Sequence, residues 1–458
     1  MRVIICGADQ IGSSIASYLS KEDNDVTVVD TNSDQLSQIS NLLDVNTVIG
    51  FPSDPNTLKN AGANECDLII AVTDVDETNM VACQVGHSLF GIPKKIARIR
   101  NQSYLDPAWS NLFSRSHMPI DVIISPEHLI AEDIYQRLMI PGATTAINLG
   151  GDKAYLVGVV CMEDCPVLHT ALGQLNNLFP DLSFSVVSLT RGTKHIVPDE
   201  TEILEEGDEA FIIVDSKHIR RVMAAFGHME KEARKIVISG GGNIGTSLIR
   251  KLQKDSDGLQ IKVIEHNDTR AQYLSEQLAN IIILNGDTLE RSIMEEASVS
   301  TAETYIALMN DDENNILGSL LAKQYGCERA ITLVNNNAYF PLVGPLGIDM
   351  MISPKSIIVS NIMQHIRRGR IVSIHSIHGG ETEVTEIEVS DSSGVANQVI
   401  GELELPVNAV IAALIREDEI IIPKENDKIL PHDHLIVLSP RSKAREMEEL
   451  LSVHVDLI

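Results

Sequence analysis

The segment "VIICGADQIGSSIASYL", residues Val3 to Leu19, decides the fold of this chain. A β-branched run is followed by a turn that contains Gly7 and Gly12, and then by apolar residues at helical spacing. Strand, glycine turn and helix in this order are typical of a dinucleotide-binding domain, whose turn has glycine at its first, third and sixth positions. Here the third position is Asp9, so a carboxylate stands where a diphosphate comes closest.

The same segment returns in the second half of the chain. "ICGADQIGSSIASYLS", from Ile5, returns as "ISGGGNIGTSLIRKLQ", from Ile238. Two further stretches return in the same order: "AVTDVDETN" as "ALMNDDENN", and "IDVIISPEHLIAEDIYQRL" as "IDMMISPKSIIVSNIMQHI". A repeat over this span predicts two copies of one domain arrangement.

Each copy alternates β-rich runs with amphipathic runs, which predicts a parallel sheet with right-handed crossovers. A second repeated unit follows each sheet, because "VVSLTRGTKHIVPDE", from Val186, resembles "VIAALIREDEIIIPK", from Val410. We therefore predict an α/β fold of two Rossmann-like parallel-sheet domains, each followed by a small α+β domain. The predicted domains, here called N1, C1, N2 and C2, cover residues 1–123, 143–228, 235–351 and 370–455.

Composition limits the function. The formal charge of −28 argues against nucleic-acid binding, which normally requires a basic patch. That charge fits either a well-solvated surface or a partner with a basic face, such as the cytoplasmic side of a membrane protein. The six cysteines form no CxxC pair, which favours free thiols in a reducing compartment. No signal peptide and no 18-residue apolar run are visible, so we expect a cytoplasmic protein that does not insert into a membrane.

The second turn has all three glycines of the dinucleotide-binding pattern. Gly240 permits the tight turn, Gly242 lets a diphosphate approach the backbone, and Gly245 lets the helix pack close to the strand. The start of the helix offers free N–H groups and a positive dipole end to phosphates. The next strand ends in Glu265, and its counterpart in the first copy ends in Asp30, where a ribose-binding acid belongs.

Asp9 makes the first site unequal to the second. A carboxylate about 4 Å from a phosphate costs about 1 kcal/mol in water and about 4 kcal/mol at an effective dielectric constant of 20. Asp9 could avoid this cost by pointing away, or by binding a cation shared with the phosphates. We expect a first site that is weakened or altered in selectivity.

The loop after the fourth strand lies at the carboxyl edge of the sheet, where ligands of such sheets bind. Thr73 and Asp74 in the first copy, and Met309 and Asn310 in the second, could line the nicotinamide or second-ribose side. The alternative is that Asp74 or Asp76 caps the helix that follows, with Glu77 near its N-terminus.

Two arginines lie two positions apart in "KKIARIRN". Arg98 and Arg100 share one face of a strand and could clamp phosphates, or they could be ordinary surface arginines. The second copy has Thr332 in the position of Arg98. Any extra positive charge is therefore confined to the first site.

Taken together with "AVTDVDETNMVACQV", "IARIR" and "LVNNNAYF…IDMMISP", this arrangement resembles the TrkA family. Its members are peripheral NAD-binding subunits of bacterial Trk potassium uptake, built from two RCK (regulator of K⁺ conductance) repeats. The resemblance covers nearly the whole chain. It implies a homo-oligomeric, tetrameric ring on the cytoplasmic face of the inner membrane, beneath a potassium channel subunit of the TrkH or TrkG type that it gates.

The resemblance also implies NAD⁺ or NADH, or ATP or ADP, as ligands, without a metal or catalytic residues. Carried over by motif, the first site comprises Gly7, Ala8, Asp9, Gln10, Ile11, Gly12, Asp30, Thr73, Asp74 and Arg98. The second comprises Gly240, Gly241, Gly242, Asn243, Ile244, Gly245, Glu265, Met309 and Asn310. Asp9 departs from the family pattern and puts NAD binding at the first site in question.

Two other functions stay open on the sequence. An NAD-dependent dehydrogenase needs an acid or base beside the nicotinamide, and no histidine forms a recognisable pair with a carboxylate; His375 and His378, in "VSIHSIHGG", are poor candidates. The repeated small domains also differ from a single substrate domain. A soluble nucleotide-sensing scaffold without a channel is the second alternative.

Overall fold

The computed structural model describes residues 1–22, 24–109, 111–192, 194–255, 258–367, 370–377, 380–417 and 419–451. The end of the predicted C2 domain at residue 455 and the side chain of His378 lie outside these residues. Four sheets are present, two of six strands and two of five, in the alternating order that the sequence predicts. The predicted fold class is confirmed, whereas the exact domain boundaries stay a prediction.

N1 is a parallel sheet with strand order β3-β2-β1-β4-β5-β6. This order places the carboxyl ends of β1 and β4 side by side, which is the switch point where open α/β sheets bind ligands. Strand β4, "LIIA", is buried along its whole length, as expected for a central strand with helices on both faces. The elements are β1 (Arg2–Cys6), α1 (Gln10–Ser20), β2 (Asp25–Asp30), α2 (Ser33–Leu42), β3 (Asn46–Ile49), α3 (Pro55–Asn60), β4 (Leu68–Ala71), α4 (Asp76–Phe90), β5 (Lys94–Arg98) and β6 (Val122–Ile124).

Helix α5 (Pro126–Met139) leads from N1 to the first small domain. C1 is a five-stranded sheet of order β10-β9-β11-β8-β7, in which each pairing is antiparallel. Its elements are β7 (Ala143–Leu149), β8 (Ala154–Val160), α6 (Leu172–Leu178), β9 (Phe184–Arg191), β10 (Lys194–Ile196), β11 (Glu209–Asp215) and α7 (Ile219–Ala225).

N2 repeats the fold of N1 with strand order β14-β13-β12-β15-β16-β17. The register repeats as well: β12 pairs in parallel with β13 and β15, as β1 pairs with β2 and β4. The elements are β12 (Lys235–Ser239), α8 (Asn243–Asp255), β13 (Gln260–Glu265), α9 (Asp268–Gln277), β14 (Ile282–Asn285), α10 (Arg291–Glu296), β15 (Thr304–Ala307), α11 (Asp312–Gln324), β16 (Arg329–Leu333), α12 (Phe340–Val343) and β17 (Met350–Ile352).

C2 follows helix α13 (Pro354–Ile366) and repeats C1 with strand order β18-β19-β22-β20-β21. Apolar residues of the two small domains form one shared cluster, to which C1 gives Leu156 and Phe211 and C2 gives Ala413 and Ile436. The elements of C2 are β18 (Ile371–Ile377), β19 (Thr382–Glu388), β20 (Val410–Arg416), β21 (Glu419–Ile421), β22 (His434–Pro440) and α14 (Ala444–Leu451).

The chain divides into two compact units. The first consists of Met1–Leu129 with Lys355–Ile366, so it contains N1 and nearly all of helix α13. The second starts at Ile130 and contains the other domains. Within the second unit, Glu132 of α5 lies 3.0 Å from the ammonium of Lys251 on α8. Helix α5 therefore continues from N1 into the unit that contains N2, as its amphipathic sequence predicts.

One ion pair has the same geometry in both small domains. Arg191 binds Asp208 through Nε and Nη2, both at 2.8 Å, and Arg416 binds Asp433 with the same two distances. Asp208 is fully buried and also accepts a hydrogen bond from the N–H of Glu205. Burial raises the pKa of Asp208, but the combined effect of Arg191 and this N–H is larger and lowers it. The pKa of Asp208 therefore lies below its usual value. The carboxylate thus stays ionised and stabilises the turn before β11 down to acidic pH.

We expect Asp208→Ala to destabilise C1 by about 2–4 kcal/mol, because it leaves Nε of Arg191 and the Glu205 N–H without their acceptor. Hydrogen exchange of the β11 amides measures this loss. The matched control is Glu295→Ala, which removes an exposed pair with Arg291 and costs less than about 0.5 kcal/mol. Equal losses in the two variants would contradict the structural role of Asp208.

Candidate functional site

The first glycine of each turn brings the turn against the loop after the fourth strand. Gly7 has φ of +118° and Gly240 has φ of +103°, a region that residues with a Cβ rarely adopt. A Cβ on Gly7 would lie 3.1 Å from the N atom of Thr73, and one on Gly240 would lie 3.0 Å from the N atom of Met309. The residues that the sequence assigned to each site from two separate motifs are therefore neighbours.

The last glycine of each turn lets the helix begin directly against the strand. A Cβ on Gly12 would lie 2.0 Å from the carbonyl oxygen of Gly7, and one on Gly245 would lie 2.3 Å from that of Gly240. Helices α1 and α8 therefore start at Gln10 and Asn243 with their free N–H groups at the carboxyl edge of the sheet. This is the arrangement that binds phosphates at a helix N-terminus.

The central glycine of the second turn leaves open space. A Cβ built on Gly242 meets no atom within 4 Å, and this residue is exposed. The folded chain itself does not need glycine here. Open space at this position is compatible with a dinucleotide diphosphate.

The two acids assigned to ribose also support the turns. Asp30 accepts a hydrogen bond of 2.7 Å from the N–H of Ala8, and Glu265 accepts one of 2.8 Å from the N–H of Gly241. Each also accepts an N–H two residues further along its own loop. Both carboxylates are partly exposed and retain lone pairs for a ribose hydroxyl.

The carboxylate of Asp9 lies at the start of helix α1, inside the first turn. Its Oδ1 accepts hydrogen bonds of 2.9 Å from the N–H groups of Ile11 and Gly12, so it caps helix α1. Its Oδ2 lies 3.4 Å from Nη1 of Arg98. Asp9 does not point away from the turn, because its oxygens face the N–H groups at the helix start and the Arg98 guanidinium. A cation shared with the phosphates stays a prediction. Burial raises the pKa of Asp9, against the opposing pull of the Gly12 N–H and Arg98.

Arg98 is buried rather than a surface arginine, since only 8% of it is exposed. Its Nη1 also lies 3.4 Å from Asp74, which is mostly exposed and pairs in turn with Arg100 at 3.7 Å. Nε of Arg98 is buried without a hydrogen-bond partner. The guanidinium therefore has an unused donor beside the first turn, while Arg100 is held by Glu127 at 3.0 Å.

The loops after β4 and β15 are fixed by a buried asparagine that the sequence reasoning missed. Asn79 accepts the N–H of Thr73 and donates to the carbonyl groups of Thr73 and Arg98. Asn315 makes the same three bonds with Met309 and Leu333. The signal was present, because both asparagines end the repeated motifs "AVTDVDETN" and "ALMNDDENN".

The proposed capping role of the acids in this loop is wrong for Asp74 and Asp76. The cap position of α4 is Val75, which makes no side-chain cap bond. Asp76 accepts the backbone N–H groups of Arg100 and Asn101 instead, and ties helix α4 to the end of β5.

Arg270 is a second residue that the sequence reasoning missed. Its Nε donates to the carbonyl oxygen of Gly241 at 2.8 Å, and its Nη2 donates to Thr246 at 3.0 Å. The guanidinium also lies 5.0 Å from the ring centre of Tyr273. Gln35 occupies the matching position in N1, counted from Asp30 and Glu265. The Nε and Nη2 groups of Arg270 thus bind neutral acceptors near the second turn.

Family models match the chain over almost all of these elements. The TrkA-N domain matches residues 3–126 and 236–354, and the TrkA-C domain matches residues 156–227 and 384–452. The chain belongs to the TrkA family. The Trk system potassium uptake protein TrkA of Azorhizobium caulinodans is 41% identical over 456 residues, which cover 100% of both chains. The TrkA protein of Halomonas elongata is 37% identical and covers 99% of both chains.

Solved structures show the same tandem fold. The GsuK channel aligns with a TM-score of 0.63 over 98% of this chain and 78% of its own, at 17% identity. The isolated GsuK RCK domain aligns with a TM-score of 0.61 over 98% of this chain and 94% of its own, also at 17% identity. The TrkA fold seen here is thus an RCK fold.

The structure brings the TrkA site residues together in two clusters, one at each turn. Gln10 and Ile11, like Asn243 and Ile244, form the first helical residues whose N–H groups face the turn.

Within the described ranges, no helix is long and apolar enough to cross a bilayer. Among those same residues, no group of three histidine, cysteine or acidic side chains could hold a metal ion.

We expect Gly245→Ala and Gly242→Ala to separate the structural from the ligand-facing glycine. Gly245→Ala places a methyl group against the Gly240 carbonyl and destabilises N2 by about 2–3 kcal/mol. Gly242→Ala meets open space and costs less than about 1 kcal/mol. Denaturant unfolding without nucleotide measures both, and a larger loss for Gly242→Ala would contradict the assignment.

Proposed function

We propose that this chain is the nucleotide-sensing regulatory subunit of a Trk potassium uptake system. It binds NAD⁺ or NADH, or an adenine nucleotide such as ATP or ADP, in its N domains and gates a membrane channel subunit of the TrkH or TrkG type. It acts as a homo-oligomeric, tetrameric ring at the cytoplasmic face of the inner membrane. The observation that carries this proposal is the open glycine turn of N2, set at the N-terminus of α8.

The electrostatics of N2 support a phosphate ligand. The N–H groups at the start of α8 and the positive end of its dipole face the space above Gly242. Arg270 adds a full positive charge to the other side of the same turn. Glu265 lies at the end of β13, where it accepts a ribose hydroxyl. The related GsuK channel has been solved bound to NAD and bound to ADP, which fits the same ligand class.

The chemistry at the carboxyl edge favours a regulator over a dehydrogenase. The loop beside the turn of N2 carries Met309 and Asn310, and neither side chain transfers a proton at neutral pH. In N1 the corresponding Asp74 is held by two arginines.

The strongly acidic chain also suits a basic cytoplasmic face of a membrane partner. A scaffold without a channel would lack such a partner.

We expect Gly242→Asp to weaken NADH binding by about fivefold or more. The added carboxylate stands about 4 Å from the diphosphate and costs about 1 to 4 kcal/mol according to the local dielectric. Isothermal titration calorimetry measures the affinity. Gly344→Asp is the matched control, because it adds the same charge at another open and exposed position of N2. Equal affinities in the two variants would overturn the location of the site.

We expect nucleotide to change potassium flux only when the chain is present. The test uses liposomes that contain a TrkH-type subunit, with and without the purified chain and NADH or ATP. A ligand gates a channel only if it binds two conformations differently, so Gly242→Asp abolishes the response while Gly344→Asp retains it. Hydride transfer from NADH to a small substrate would favour the dehydrogenase instead. A nucleotide response without any membrane partner would favour the scaffold.

A further inference from the structure

We infer that Asp9 is an internal substitute for a nucleotide phosphate and keeps the first N domain permanently in its ligand-occupied form. This inference rests on the proposed function, since it names which of the two sites responds to nucleotide. It assigns the response to the glycine turn of N2 alone. N1 then serves as a fixed, nucleotide-independent copy.

The hydrogen bonds of Asp9 are those that a bound phosphate would make. The carboxylate Oδ1 lies 2.9 Å from the N–H groups of both Ile11 and Gly12, which are the donors that the start of a helix offers to an anion. A phosphate cannot bind these two groups unless Asp9 first leaves them.

The arginine beside the turn is engaged in the same way. Arg98 directs Nη1 to Asp9 and Asp74, each at 3.4 Å. The residue is more than nine-tenths buried. Its buried Nε lacks an acceptor, so the surroundings of this guanidinium are built for more anionic oxygens than the two carboxylates supply. Asp9 thus occupies the place of an anion without filling it completely.

The second copy shows what the same turn is like without the internal anion. Gly242 replaces Asp9, and a Cβ there meets nothing within 4 Å. The buried arginine is replaced by Thr332, which bonds to Ser319 on helix α11. N1 has the negative charge of Asp9 together with the positive charge of Arg98, whereas N2 has Gly242 and Thr332 at these positions and neither charge. This is the pattern expected if Asp9 substitutes for a phosphate whose charge Arg98 balances.

The decisive variant is Asp9→Gly, which restores the glycine pattern of the first turn. We expect the unmodified full-length chain to bind one NADH per chain, and Asp9→Gly to bind two. Gly242→Asp is expected to bind too weakly to give a stoichiometric site, whereas the double variant Asp9→Gly, Gly242→Asp binds one. Calorimetric stoichiometry distinguishes these outcomes, and ATP is titrated in parallel as the second probe. A gain of binding cannot arise from failure to fold.

Hydrogen exchange supplies a second readout. In Asp9→Gly the amides of Ile11 and Gly12 exchange about fivefold faster, because each loses one acceptor, and nucleotide restores their protection. Asp54→Gly is the matched control in the same domain, since Asp54 caps helix α3 through the N–H groups of Asn56 and Thr57. Its loss speeds exchange at those amides, and nucleotide does not restore it.

The inference and the proposed function fail in different ways. If the unmodified chain binds two nucleotides, or if Asp9→Gly still binds one, the role of Asp9 is overturned while nucleotide sensing stands. If neither the unmodified chain nor Asp9→Gly binds NADH or ATP, the proposed function itself is overturned.

Discussion

The free N–H groups at the start of one helix determine the chemistry of each N domain. The helix begins so close to the first strand that only glycine fits at Gly12 and Gly245, where a methyl group would lie within 2.3 Å of a carbonyl oxygen. This close packing aims the N–H groups at one point above the carboxyl edge of the sheet, and those groups need an acceptor. N1 supplies the acceptor from Asp9. N2 leaves it to water or to a ligand.

The repeat separates what maintains the fold from what selects a ligand. The residues that appear in both copies with the same bonds maintain the fold: Asn79 and Asn315 fix the loop beside the turn, and Asp208 and Asp433 fix the small domains. The residues that differ lie where a nucleotide would be. They are Asp9 against Gly242, Arg98 against Thr332, and Gln35 against Arg270. The charge at each turn is therefore set independently of the scaffold that holds it.

The sequence predicted the parts of the structure that depend on local patterns. Hydrophobic periodicity and the glycine spacing predicted both parallel sheets, because buried central strands such as "LIIA" are apolar throughout. The orientation of Asp9 could not be predicted, since it depends on Arg98, which is 89 residues away, as well as on the adjacent N–H groups. The grouping of most of helix α13 with N1 was equally inaccessible, because it depends on tertiary contacts of a helix whose own sequence shows only an amphipathic pattern. Arg270 was missed because a single arginine on an exposed helix carries no motif.

On the proposed function, a duplicated sensor gains from an internal anion in one of its two turns. A ligand can shift a conformational equilibrium only by the difference between its affinities for the two states. A turn that already contains its anion offers a phosphate little further gain, because the ligand must first displace a carboxylate from the same N–H groups. The open turn of N2 has no such competitor, so nearly all of its interaction with a phosphate is available to favour one state. With N1 held by Asp9, as inferred above, the proposed sensor responds to a single ligand equilibrium.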